Sequence, residues 1–366
     1  MSAPRIGLLA AATYLPPEIR RNDWWPSATV ERWMALRAAP PPPPAGALTP
    51  AMTHVLAEMA RQAVDPFQGV IERRVMPADM TSVDMEVQAA ERAIAHAEAT
   101  AGPVTGFDRR QIDVLLTHTA VPEYLLSNTA CVLHHRLGLA PTCFTMQAEA
   151  SGNSFLMQLT LAEQMIAAGR ARHALVVQSA AGSRLLDPDS PMAPLFGDGA
   201  SSVVIGAVPD GGLLATVHRT DGSHPRALIA GVPGRRWYDD GRIVLHSSDP
   251  GAMRQIFLET ADRAAEVVGT ALAAAGQAAA DVGLFAVHQG TPWLRTVTQA
   301  ACGLVNARAV DSFATTGYLF GASIPLVLEL AQRRGLVAAG DLVVLHGGGV
   351  GSTYSAIAVR WGAAVA

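Results

Sequence analysis

A short run of small and polar residues joins a segment typical of a β-strand to a segment typical of an apolar helix. The run is Ala150-Ser151-Gly152, within MQAEASGNSF at residues 146–155. A nucleophile at such a junction would lie in the positive end of the helix dipole, which lowers the pKa of a thiol and favours the thiolate. Alanine offers no nucleophile, and serine is also a favoured helix N-cap. The junction therefore has a position for covalent chemistry but no thiol.

A histidine ends the apolar run GLFAVHQ, residues 283–289. Because this run is typical of a buried strand, His288 should project from a strand end towards the centre of the molecule. A histidine there suits general acid–base chemistry, although a histidine that only ends a core strand is the competing interpretation. His118, His134, His135 and His346 show no spacing typical of a metal site.

The composition predicts a globular protein with a large core. Half of the 366 residues are hydrophobic and 16% are charged, which suits buried parallel strands in one or two domains. The net charge of −4 provides no basic field, so we expect no nucleic-acid partner. No apolar run approaches the roughly 18 residues of a membrane span, and the N-terminus resembles a strand rather than a signal peptide. We therefore expect no membrane association.

Three cysteines, Cys131, Cys143 and Cys302, lack the paired spacing of a disulfide scaffold or a zinc site. We expect each to be a small buried core residue, and none to supply a nucleophile for the junction. The pattern suits a reducing, cytoplasmic location and predicts no metal.

An internal repeat divides the chain into two related halves. Residues 152–177 and 321–345 each open with glycine and a small residue, then run through an apolar helix, a glycine turn and a Val/Leu-rich strand. Upstream, QIDVLLTHTA is mirrored by DVGLFAVHQG. This matching order predicts two α/β halves, residues 1–208 and 209–366.

Residues 38–66 interrupt this pattern. The run AAPPPPPAGALTP cannot form a helix or a central strand, because proline fixes φ and lacks an N–H. The following AMTHVLAEMARQAVD has helical periodicity. We predict an extended proline linker and a short helix, inserted as an excursion on the surface.

Seven motifs in the right order carry a resemblance to one family. They are YLPPEIRRND, ERWMALR, IERRV, FGDGASSVVIG, VHQG, GASIP and GGGVGSTYSAIAVRW. Apart from residues 38–66, the chain resembles the β-ketoacyl-acyl carrier protein synthase III group of the thiolase superfamily over nearly its whole length. The resemblance implies an α/β thiolase fold of five layers, αβαβα, with two pseudo-repeated halves. It also implies a homodimer, or a heterodimer with a related ketosynthase, and a buried tunnel for a pantetheine arm.

The resemblance places Ala150 on the nucleophilic cysteine of the family, and three explanations are open. The alanine replaces a natural cysteine in an engineered variant, or Ser151 has taken over as nucleophile, or the chain is a non-catalytic partner subunit. A serine one residue further along would point in a different direction from the lost cysteine, so a helix N-cap is the preferred role for Ser151.

The same resemblance implies the other catalytic residues. His288 would serve as base and would bind the thioester carbonyl. Tyr318 falls where the family has an asparagine whose amide helps to stabilise an enolate. The oxyanion hole would combine the backbone N–H of residue 150 with that of Gly348 or Gly349, although a plain tight turn also explains these glycines.

The resemblance also implies a substrate-binding set. Trp33 and Arg37 would contact the coenzyme A nucleotide by stacking and by phosphate pairing, unless Trp33 is a core residue of its helix. Leu126 and Ser151 complete this set. Arg295 would help to dock an acidic carrier protein, or would be a solvated surface side chain.

The expected function is acyl transfer from a coenzyme A or acyl-carrier-protein thioester, which is a substrate and not a resident cofactor. Tyr318 and Thr291 both replace asparagines of the family, which argues against standard malonyl condensation. We expect a role in specialised-metabolite or polyketide biosynthesis. Two alternatives stay open: a decarboxylative β-ketoacyl synthase, and a non-catalytic partner of a heteromeric ketosynthase.

Overall fold

The computed structural model describes residues 5–37 and 47–363, with the side chain of Arg37 left out. The proline run at residues 40–44 lies outside the described residues. The strands are β1 (Ile6–Tyr14), β2 (Glu18–Arg21), β3 (Glu72–Val75), β4 (Ile112–Thr119), β5 (Phe144–Gln147), β6 (His173–Ala181), β7 (Asp198–Ala207), β8 (Gly212–Thr220), β9 (Ile229–Gly231), β10 (Val244–His246), β11 (Val282–Val287), β12 (Leu342–Gly349) and β13 (Thr353–Arg360). The helices are α1 (Ser27–Arg37), α2 (Pro50–Ala63), α3 (Ser82–Thr100), α4 (Gly102–Thr105), α5 (Thr129–Arg136), α6 (Ser154–Ala167), α7 (Gly182–Leu185), α8 (Pro250–Ala274), α9 (Leu294–Ala301), α10 (Phe313–Thr316) and α11 (Ser323–Arg333).

The first half of the chain builds a five-stranded sheet in the order β1-β7-β6-β4-β5. β4 runs parallel to β5 and β6, whereas β7 pairs antiparallel with β6 and β1. β6 is buried along its whole length, and β4 along nearly all of it. Burial on both faces explains why these strands are continuous apolar runs in the sequence rather than alternating ones.

The second half repeats this pattern in a four-stranded sheet, β11-β12-β13-β8. β11 and β12 are parallel, and β13 is antiparallel to β12 and β8. Where the first sheet has β5, the second has an isolated parallel bridge between Leu284 and Arg308. The two sheets therefore share one succession of strand directions, as the sequence repeat predicts.

Two helices lie between the sheets and two groups of helices cover their outer faces. α6 and α11 share one hydrophobic core with the inner faces of both sheets, through side chains such as Phe155, Leu159 and Val327. α3 packs on the outer face of the first sheet and α8 on that of the second. These layers confirm the expected αβαβα fold class.

The inserted helix α2 lies at the surface and packs against the second half of the fold. Val55 is fully buried in a core that α2 shares with α8 and α9. Thr49 caps α2, since its Oγ1 accepts from the N–H of Met52 at 3.0 Å, and the same hydroxyl donates to Asp262 Oδ2 at 2.7 Å. The helical part of the insertion is therefore fixed to the second half of the fold.

Of the helices in the described ranges, none has both the length and the apolar character to cross a membrane.

Candidate active site

An apolar cavity of about 540 Å³ reaches the centre of the molecule. This volume lies within the usual range of small-molecule sites. Most of its wall is formed by aliphatic, aromatic and methionine side chains, and its polar side includes His288, Tyr318, Gly348 and Gly349. The cavity therefore brings together four residues that the sequence assigns to one site.

His288 follows β11, and its imidazole is held in one tautomer. The N–H of Gly348 donates to its Nδ1 at 3.1 Å, so Nδ1 has no proton and Nε2 carries it. Burial, with a smaller effect of the neighbouring His346, lowers the pKa of His288 to about 3. The imidazole is therefore neutral near pH 7 and presents an Nε2–H donor.

This arrangement bears on the expected role of His288 as a base. A base would need a free lone pair on Nε2, and the proton would then have to lie on Nδ1, facing the N–H of Gly348. Protonating both nitrogens is opposed by the same burial that lowers the pKa. In this tautomer His288 Nε2 can donate a hydrogen bond, which is what the expected contact with a thioester carbonyl requires.

Tyr318 is the second neutral donor beside His288. Its ring lies 6.2 Å from the imidazole between ring centres, and burial raises the pKa of its phenol above the usual range. The hydroxyl hydrogen-bonds with the side chain of Ser151 and lies against Gly152. A Cβ on Gly152 would also lie 2.7 Å from the carbonyl oxygen of Gly348, so only glycine allows this approach.

The junction around Ala150 is a tight turn and not the first turn of the α-helix. Residues Ser151–Asn153 form a 3₁₀ turn, and α6 begins at Ser154. Ser151 has a φ of 52°, in the left-handed region that residues other than glycine rarely adopt. Its hydroxyl contacts Tyr318 and makes no cap hydrogen bond, so the N-cap role predicted for Ser151 is wrong.

Two of the backbone donors expected in an oxyanion hole are engaged within the protein. The N–H of Ala150 donates to Ser154 Oγ at 2.8 Å, and that of Gly348 donates to His288. Gly349 packs closely against the carbonyl oxygen of Ala150. These contacts hold the turn against the end of β12. The neutral polar groups on the cavity wall include His288 Nε2–H, the Tyr318 hydroxyl, which hydrogen-bonds with Ser151, and the Thr291 hydroxyl.

The structure also places a charged residue that sequence reasoning missed. Glu149 precedes Ala150, accepts from the N–H of Ser151 at 2.5 Å, and lies 3.2 Å from Nδ1 of His118. His118 is buried, whereas the Glu149 side chain is 62% exposed. The internal repeat could have indicated this residue. Aligning QIDVLLTHTA with DVGLFAVHQG makes His118 equivalent to His288, and aligning Gly152 with Gly321 makes Glu149 equivalent to Tyr318.

Two of the expected substrate-binding residues, Trp33 and Leu126, do not line the cavity. Trp33 is 1% exposed, its indole N–H donates to the carbonyl of Asp189 at 2.8 Å, and its ring packs against Trp25 and Phe67. The structure therefore favours the core role of Trp33 over a contact with adenine. Arg37 ends α1, and its side chain lies outside the described part of the chain.

Leu126 does not line the cavity, and 97% of its surface is exposed. Arg295 is engaged at the surface, where its Nε donates to Asp311 at 2.6 Å. Thr291, in contrast, lies on the cavity wall.

The three cysteines take different positions. Cys143 is buried and Cys302 is half-buried, with its thiol pKa raised by burial to about 12. Cys131 is exposed, so the prediction of a core role is wrong for it. None of the three lines the cavity.

In the described ranges, no group of three or more His, Cys, Asp or Glu side chains is placed to hold a metal ion.

Two models of one protein family match parts of the chain. Residues 146–222 match the family model of 3-oxoacyl-[acyl-carrier-protein] synthase III, and residues 272–361 match the model of its C-terminal part. The first match contains the turn at Ala150, and the second contains His288, Tyr318 and the glycine run.

Solved structures of the same kind cover nearly the whole chain. FabH, 3-oxoacyl-(acyl carrier protein) synthase III from Pseudomonas aeruginosa PAO1, is similar at 25% identity and a TM-score of 0.75, covering 98% of each chain. FabH from Thermus thermophilus is similar at 26% identity and 0.75, covering 98% of this chain and 99% of that one. A variant of OleA from Xanthomonas campestris shares the fold at 20% identity and 0.77, covering 98% and 99%.

Proposed function

Because the chain belongs to the 3-oxoacyl-[acyl-carrier-protein] synthase III-like group of the thiolase superfamily, we propose that its cavity is an acyl-transfer site. The ligand would be an acyl thioester of coenzyme A or of a carrier protein. One observation carries the proposal: a neutral imidazole, fixed by the N–H of Gly348, presents Nε2–H to an apolar cavity. A thioester carbonyl is the acceptor that such a donor suits.

In the proposed reaction, His288 Nε2–H and the Tyr318 hydroxyl donate to the thioester oxygen while charge develops on it. A cysteine at position 150 would form the new carbon–sulfur bond, and the old carbon–sulfur bond would break. The proton of the attacking thiol ends on the departing pantetheine sulfur, so the step needs no other reactant. A hydroxyl or amine acceptor would then take the acyl group, a reaction suited to specialised-metabolite or polyketide biosynthesis.

With Ala150 in place, the chain should bind the thioester without becoming acylated. The test combines two measurements on the unmodified protein. Tryptophan fluorescence reports binding, since Trp293 lines the cavity, and intact mass reports acylation. We expect saturable binding of an acyl thioester, lost in His288→Ala, with no change in mass. An acyl adduct on Ser151 would instead establish the serine as nucleophile, and no binding of any thioester would refute the proposal.

Decarboxylative condensation is the less favoured reaction. Among the described residues, none that lines the cavity carries a formal charge, and burying a malonyl carboxylate without a cation is costly. Tyr318 also replaces the amide that would stabilise the enolate. We expect a cysteine-bearing version to release no labelled carbon dioxide from malonyl-carrier protein. Brisk release with a β-ketoacyl product would establish the condensation instead.

A non-catalytic subunit is the second candidate function. It is favoured because Ala150, Tyr318 and Thr291 depart from the family pattern together, whereas engineering of one cysteine would explain only the first. The backbone N–H groups of Ala150 and Gly348 are also engaged inside the protein. Co-purification of a related chain that carries the cysteine would support this candidate.

We also propose a dimer through the edge strand β5. β5 lies at the edge of its sheet, with Phe144 48% exposed on it. The loop with the exposed Leu125 and Leu126 adjoins this strand, since the N–H of Thr129 donates to Gln147 at 2.8 Å. Burying these side chains would favour association. Light scattering should give twice the chain mass, and Leu126→Glu should reduce it to one chain.

A further inference from the structure

The helix that interrupts the sequence repeat forms part of the cavity wall. Met59 and Ala63 line the cavity from α2, and Gln68 lines it from the turn that follows. α8 contributes another part of the same wall through Met253, Ile256, Phe257 and Thr260. The insertion therefore borders the site instead of lying apart from it.

The same face of α2 serves both the core and the cavity. Val55, Met59 and Ala63 are spaced four residues apart and so lie on one side of the helix. Val55 is fully buried against α8 and α9, which fixes the position of the next residues on that face. The hydrogen bond from Thr49 to Asp262 holds the start of the helix to α8. Met59 thus faces the cavity from a fixed backbone.

The wall is apolar and adaptable in this region. Met59, Met192 and Met253 all line the cavity, and methionine side chains adjust to ligands of irregular shape. The absence of formal charge among the described lining residues suits the uncharged part of a thioester, either its pantetheine arm or its acyl group.

We propose that Met59 is a specificity-determining residue that contacts the bound thioester and limits the bulk that the cavity accepts. The proposal rests on the proposed function, because it assumes that the thioester occupies this cavity. Since the helix backbone is held by Val55 and Thr49, a larger side chain at position 59 has to occupy space that the ligand needs.

The experiment uses calorimetry on the unmodified protein and on Met59→Trp, with acetyl-pantetheine and octanoyl-pantetheine as probes. We expect Met59→Trp to weaken binding of at least one probe by about tenfold or more, the usual scale of overpacking. A loss that is larger for the octanoyl probe places the acyl chain beside Met59. An equal loss for both probes places the pantetheine arm there.

Met52→Trp is the matched control. Met52 lies on the same helix and packs in the same core, but it does not line the cavity. We expect this variant to bind both probes within about twofold of the unmodified protein, and thermal unfolding to show that both variants are folded. Equal losses in the two variants, or none in Met59→Trp, would overturn the inference. Failure of the unmodified protein to bind either probe would refute the proposed function instead.

Discussion

The two halves of the fold contain the same turn in different surroundings. Ala150 and Leu319 occupy equivalent positions, with φ and ψ of −152° and 27° in one and −116° and 27° in the other. Each is followed by a residue with positive φ, Ser151 at 52° and Phe320 at 47°. Each turn then has a glycine, a 3₁₀ segment and a helix that begins at a serine.

The two turns differ in the neighbours of the histidine that lies beside each one. His288 accepts the N–H of Gly348 on Nδ1 and borders an apolar cavity beside Tyr318. His118, its counterpart, lies beside Glu149 and Gln178 and does not line that cavity. Since Phe320 has the same backbone strain as Ser151 without any chemistry, the strain belongs to the fold and is no evidence that Ser151 reacts.

We expect the largest effect when a cysteine is placed in each turn and acylation of the two variants is compared. In Ala150→Cys, the thiol would lie at the turn beside His288, and we expect complete acylation by a suitable thioester where the parent shows none. Leu319→Cys has an equivalent backbone, but Leu319 is only 1% exposed, so we expect no adduct. Intact mass and peptide mapping check both variants. If the folded Ala150→Cys protein is acylated by no donor, the silent-subunit candidate gains support.

A second comparison removes the two histidines in the Ala150→Cys background. His288→Ala should slow acylation by about 10²–10³-fold, the usual cost of losing a hydrogen-bond donor to a developing oxyanion. His118→Ala should slow it by no more than about threefold, since His118 does not line the cavity. Stopped single-turnover reactions followed by mass spectrometry give both rates. Equal losses would mean that the mirrored site takes part in the reaction.

The third comparison concerns the two glycines and the free energy of unfolding. A Cβ on Gly152 would meet the backbone carbonyl of Gly348 at 2.7 Å, whereas a Cβ on Gly321 would meet side-chain atoms of Gln178 and His118. Backbone moves less readily than a side chain, so Gly152→Ala should cost about 2–3 kcal/mol and Gly321→Ala about 1 kcal/mol. Urea unfolding of both variants measures the difference, and the reverse order would contradict the contrast between the turns.

The sequence predicts the fold class and much of the site because the relevant signals are local. Apolar runs, glycine turns and the repeat indicate two α/β halves, and a strand-end position locates His288. Its tautomer could not be predicted, since Gly348 is 60 residues away along the chain. Likewise, no local pattern encodes long-range packing. Such packing places the ring of Phe67 against Trp33 and α2 against α8.

The smallest expected effect is a binding affinity that stays constant with pH. Burial lowers the pKa of His288 to about 3, so its neutral form, which donates from Nε2, is fully populated at pH 5 and above. Thioester affinity of the unmodified protein should therefore be level from pH 8 to pH 5 and fall only as the pH approaches 3. A histidine with the ordinary pKa of about 6.5 would instead lose its neutral form between pH 7 and pH 5.5. Calorimetric titration at four pH values distinguishes these cases.

The same depressed pKa of His288 stabilises the fold above about pH 6.5, and this contribution declines as the pH falls towards 3. His288→Gln should remove that part of the pH dependence of unfolding, and an unchanged dependence would show that the imidazole is not buried in its neutral form.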